Sequence, residues 1–153
     1  MSAFRLALIA IGLVALMIGP PAGADAALDE ARARWQAAAL PSYEYGYRKF
    51  CECHPVTPPE TIVSVRNEQV VRVRHRPVDS DVEVPAEAKN LQFYWTMNGL
   101  FDLVASALER GVDVRVEYDA TLGFPRSVHI DYDPDFIGDE LELTLTGVTP
   151  LAP

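Results

Sequence analysis

The sequence is poor in the residues that announce chemistry. It has only two cysteines and three histidines in 153 residues. It has no G-x-S-x-G, H-E-x-x-H, P-loop or dinucleotide fingerprint, which leaves the common hydrolase, zinc-protease and nucleotide-binding signatures out. Basic residues are also few, 13 Lys and Arg against 22 Asp and Glu, for a net charge of -9. A phosphate backbone is held by clustered Lys and Arg, so nucleic acid is not the expected partner. Pro 12 and Gly 9 are ordinary numbers, which excludes collagen-like and low-complexity chains. No apolar run exceeds the 13 residues of Leu6–Ile18, short of the roughly 20 that cross a bilayer.

What is present reads first as an address. Arg5, the apolar run Leu6–Ile18 and the helix breakers Gly19-Pro20-Pro21 lead to Ala24-Asp25-Ala26. This is the n-region, h-region and A-x-A order of a secretory signal peptide. Residues 1–26 are therefore expected to be cleaved, with no membrane span afterwards. No cysteine opens the chain at Ala27, so a lipoprotein is not indicated. Cleavage leaves the net charge at -9 and lowers the apolar share from 49% to 57 residues in 127. That share is ample for a folded core.

Residues 27–153 read as one α+β domain. Leu28, Ala31, Trp35 and Ala38 recur at helical spacing, and Pro41 stops the helix. Alternating tyrosines over 42–50 read as a strand. Residues 61–66 and 69–76 read as a hairpin turning at Asn67-Glu68, and 77–91 as a polar connector. The order then repeats. Thr96 is an N-cap, Met97, Leu100, Phe101, Val104 and Ala107 form one helical face, and Gly111 is a C-terminal glycine. Strands follow at 112–118, 126–132 and 140–147, each with clean apolar alternation. Two helix-strand-strand-strand halves imply one antiparallel sheet of about six strands, with two helices on its apolar face.

The ordered set Trp35, Tyr43-x-Tyr45, Cys51-x-Cys53, Leu100-Phe101, Tyr118-Asp119, Leu122-Gly123-Phe124-Pro125, Asp131 and Asp139-Glu140 spans nearly all of this domain. It resembles a family of exported bacterial proteins labelled domain of unknown function 6174. In that family Tyr more often stands where Phe124 does. The resemblance implies an exported, small α+β protein and carries over no activity.

Three clusters are candidate sites. Cys51-Glu52-Cys53 is the first. An oxidising compartment makes a disulfide the default. Residues two apart on a strand are separated by about 6.6 Å, near the upper limit of about 6.8 Å for a bridged pair. A three-residue ring gains only about 1.6 kcal/mol from loop entropy. A thiol-redox pair and a soft-metal site with His54 are the alternatives. The second cluster is acidic. Residues 112–142 carry nine acids and two arginines. Asp131, Asp133, Asp135, Asp139 and Glu142 fall at positions 1, 3, 5, 9 and 12 of a calcium loop. Phe136 replaces the turn glycine and the flanks read as strands, so solvation and a non-helical calcium site both stay open. Asp139 and Glu140 could equally meet a basic partner. The third cluster is Arg66, Arg72, Arg74 and Arg76. It suits an anion or acidic-partner patch, or cross-strand pairing with the acids of the second half. His129 and Asp131 share a strand face but lack a nucleophile. The expected function is a non-catalytic module that binds an extracytoplasmic protein or a small ligand. Metal binding and thiol redox are the alternatives, and no cofactor other than calcium is suggested.

Overall fold

A computed structural model describes residues 23–50 and 59–152. Helix α1 runs Ala24–Ala38 and buries Leu28, Ala31 and Trp35. It stops before Pro41 because Ala39 turns left-handed at φ 47°. Strands β1 (Ser42–Phe50), β2 (Glu60–Arg66) and β3 (Gln69–Arg76) follow. The β2–β3 turn places Asn67 and Glu68 at φ 46° and 60°. Two consecutive positive φ angles match the twist of a tight hairpin, which Asn tolerates and Glu rarely adopts.

The connector is less plain than its composition suggests. It contains a two-residue strand, β4 (Val84–Pro85), and a 3-10 helix over Ala88–Phe93. Helix α2 (Met97–Glu109) then begins at Thr96, whose hydroxyl accepts the Gly99 N–H at 3.1 Å. It ends at Gly111, at φ 69°. Strands β5 (Asp113–Tyr118), β6 (Pro125–Asp131) and β7 (Leu141–Pro150) complete the chain.

All seven strands form one sheet in the order β4-β3-β2-β1-β7-β6-β5, and every pairing is antiparallel. The sequence expectation of about six strands missed β4. Each half is a three-stranded meander, and the halves join where β1 pairs with β7. Alternation puts Tyr43, Tyr45, Val63, Val65, Val128, Ile130, Leu143 and Leu145 on one face, in one core with both helices. At roughly 25 cal/mol per Å2, such apolar burial is the main stabilising term.

The β1 tyrosines align the halves. Trp35, Tyr43, Tyr45, Tyr47 and Trp95 form a continuous row, with successive centroids 5.0, 6.4, 6.0 and 6.1 Å apart. Each such contact is worth about 0.5–1.5 kcal/mol beyond its area. Tyr43 accepts the Met97 N–H at 2.8 Å, satisfying an otherwise unpaired amide at the start of α2. Tyr45 donates to the Trp95 carbonyl at 2.6 Å. Burial pushes both phenols well above their ordinary pKa, so they stay neutral. Of the three consecutive aromatics before α2, Trp95 joins the row and Tyr94 meets His75, while Phe93 is 69% exposed.

Candidate functional site

The sheet face opposite the helices carries the charged side chains. Its left half, β1 to β4, is an ion-pair network. Arg74 bonds Glu44 at 2.5 Å and Glu83 at 2.7 Å. Arg76 bonds Glu83 at 2.6 Å and Glu60 at 2.8 Å. Ser64 donates to Glu44 and Thr146 to Glu60, both at 2.8 Å. The chain of alternating charge thus ends on hydroxyls at both sides. Isolated surface pairs contribute about 0–1 kcal/mol each. Here Glu60 and Arg74 are largely shielded, and the charges act as a network. The Arg76 hydrogen bond, with Arg74 and Arg72 nearby, holds the Glu83 carboxyl below its ordinary range.

This corrects the expected source of the acidic partners. Glu44, Glu60 and Glu83 belong to the first half and its connector, not to the second half. The strand order explains it. β2 and β1 separate β3 from β7, β6 and β5, so direct cross-strand contact with the far acids is out of reach. The other two arginines are placed differently. Arg66 is exposed and reaches the Ala152 carbonyl at 3.4 Å. Arg72 is exposed on the same face as Arg74, with no ion pair among the described residues.

The network surrounds a shallow depression of about 190 Å3, floored by Gly46 and Gly147. A Cβ on Gly46 would lie 2.4 Å from the Thr146 hydroxyl and 2.7 Å from a Glu60 carboxylate oxygen. The missing side chain is what lets those groups lie across the sheet. Thr146 is itself the extra residue of a bulge, since Gly46 faces Gly147 and Tyr47 faces Leu145. Glu44, Glu60 and Thr146 were not singled out by sequence reasoning. The alternation of β1 did place Glu44 opposite the tyrosines. Nothing local marks Glu83 or the bulge.

The acidic cluster sits at the other end of the sheet, on the β6–β7 connection. Asp133 and Asp135 lie in its exposed part, where Asp133 accepts the Asp135 N–H at 3.0 Å. Glu140 accepts the Gly138 N–H at 2.9 Å. Asp139 is raised above its ordinary pKa by partial burial and by Asp131, Glu140 and Asp133. One carboxylate oxygen each of Asp131 and Asp139 is shielded from solvent with no hydrogen-bond partner among the described residues. Glu142 stands apart on β7, facing His129 across the ladder. Among the described residues no group of three His, Cys, Asp or Glu is arranged to hold a metal ion.

The six acids of 131–142 have no ion pair among the described residues. Between them, Phe136 and Ile137 are 63% and 80% exposed. The two charged surfaces therefore differ in kind. Two of the four arginines are neutralised internally, whereas the acidic loop is left uncompensated around an apolar tip.

The described histidines make local contacts. His75 lies 3.3 Å from the Thr61 hydroxyl and 3.1 Å from the Tyr94 hydroxyl. His129 lies 3.3 Å from the Arg115 guanidinium. Cys51, Cys53 and His54, and residues 1–22 of the expected leader 1–26, lie outside the described residues.

Sheet, helices and surfaces together define a small α+β domain with a closed aromatic core and one open charged face. No helix among the described residues is long and apolar enough to cross a membrane. The chain belongs to the family of unknown function DUF6174, whose model matches residues 27–150. No curated protein and no solved structure matches it.

Proposed function

We propose that the protein is an exported, non-catalytic binding module whose 131–142 loop engages a basic, apolar-bearing protein partner outside the cytoplasm. One observation carries this reading: six unpaired acids frame two exposed apolar side chains. An uncompensated acidic field steers a cationic partner, and a desolvated apolar anchor supplies short-range affinity. The crowding that raises Asp139 adds a reason to bind. A cation brought beside Asp131, Asp139 and Glu140 relieves their mutual repulsion. The signal-peptide pattern of 1–26 supports export.

The test uses a peptide of alternating lysine and leucine as probe, titrated calorimetrically. Binding is expected, weakening as salt rises. It should weaken further in Phe136→Ser/Ile137→Ser and in Asp135→Asn/Glu140→Gln. No binding, or binding indifferent to both loop variants, overturns the reading. Export is tested separately by sequencing the N-terminus of chain recovered outside the cytoplasm, expected at Ala27.

A further inference from the structure

The two edges of the sheet are finished differently. At one edge β3 is covered by β4, and the Ala86 N–H reaches the Val73 carbonyl at 3.0 Å. Pro85 on β4 has no N–H to offer a further strand, and the 3-10 helix packs alongside β3. That edge is capped over Val73–His75. The opposite edge is β5. It pairs only with β6 among the described residues, contains no proline, and pairs in regular register from Asp113 to Glu117. Its outer backbone N–H and C=O groups form a ready template for another strand.

The side chains of β5 say what that strand would be. On the helix side Val114, Val116 and Tyr118 are only half-buried. With Ala27, Val104 and Leu108 they line a cleft at the open end of the core. A neighbouring strand with apolar residues at alternate positions would extend this layer. On the open face Asp113, Arg115 and Glu117 are exposed and alternate in sign. Like charges in that row would repel a second copy. The actual order is self-complementary. In antiparallel pairing about a twofold axis at Val114, Arg115 faces Asp113 of the other copy. With the axis at Val116, Arg115 faces Glu117. In both cases valines and Tyr118 stay on the core side.

We propose that β5 is a homodimer edge, along which two copies pair antiparallel about a twofold axis to make one continuous sheet. The symmetry is closed, so association ends at two. The Arg115–Asp113 contact within one strand, at 2.8 Å, is exchanged for the cross-strand pair. The dimer does not depend on the loop reading above, since it uses another edge and other residues.

Sedimentation of the purified protein over a concentration series tests it, with amide exchange as a second measurement. A monomer–dimer equilibrium is expected, with β5 amides slowing as concentration rises. Arg115→Glu makes the row wholly acidic, and Asp113→Lys/Glu117→Lys makes it wholly basic. Each alone should weaken dimerisation about fourfold or more, because two symmetry-related cross-strand pairs turn from attractive to repulsive. Mixed, the two variants should form a heterodimer. All three positions are exposed, so circular dichroism should show intact folds. A wild-type monomer at every concentration overturns the proposal. So does a dimer unaffected by Arg115→Glu, or failure of the folded variants to complement each other.

Discussion

Gly123→Ala is the most exacting perturbation of this fold. Gly123 lies in the Leu122-Gly123-Phe124-Pro125 turn between β5 and β6, at φ 81°. Asp119 builds the turn: its carboxylate accepts the Thr121 and Leu122 N–H groups at 2.9 and 2.7 Å, and its carbonyl accepts that of Gly123 at 3.0 Å. The turn then presses on α1. A Cβ at Gly123 would sit 2.1 Å from the Ala31 carbonyl oxygen and 2.9 Å from Arg34 Cβ. The first obstacle is backbone in the middle of a helix, so no rotamer change relieves it. A left-handed alanine costs about 1–2 kcal/mol, and forcing apart a packed contact about 1–3 kcal/mol more. The sum is about 2–5 kcal/mol, a large part of the 5–15 kcal/mol typical of a domain. Gly111→Ala supplies the control. Gly111 has a similar φ of 69° with nothing within 4 Å of its Cβ position, so only the conformational cost applies. Urea unfolding of both variants reads the difference, provided the m-values agree. Gly123→Ala should be less stable than Gly111→Ala by about 1–3 kcal/mol. Equal stabilities would refute the claim that this turn is locked against α1.

Two further outcomes follow from the polar groups. Tyr43→Phe leaves the buried Met97 N–H without its partner and should cost about 1–3 kcal/mol in urea unfolding, while the circular dichroism of the folded state stays unchanged. Two carboxylates should act on stability with opposite pH signs. The folded-state pKa of Glu83 is lowered, so its contribution is present above the ordinary carboxylate range and is lost as pH falls through the lowered value. That of Asp139 is raised, so the folded state holds its proton more tightly and stability drops as pH rises through the raised value. Melting at neutral pH should therefore fall in Glu83→Gln and rise in Asp139→Asn, and both differences should shrink in acid.

Much of the architecture was legible in the sequence because alternation and helical spacing are local. The apolar row of β5, the Tyr43-x-Tyr45-x-Tyr47 pattern and the Thr96 cap each declare their element without knowledge of the rest. β4 was not legible, since two residues ending in proline carry no period and exist as a strand only because β3 lies beside them. The same holds for the candidate site. The arginine ladder and the acidic run stand out in composition, yet composition does not say which is neutralised. That depends on Glu83 folding back from a connector and on Glu60 lying over Gly46, contacts between residues 7 to 16 positions apart along the chain.

The sequence by itself determined the fold class, the two-part order of elements and the acidic excess of the second half, because each follows from side-chain pattern along the chain. Tertiary structure alone decided how the charges are spent. Strand order put β3 beyond reach of the second-half acids, capped one edge with β4 and left β5 open. Pairing partners in a sheet are chosen by which strands become neighbours, and that choice is made in space.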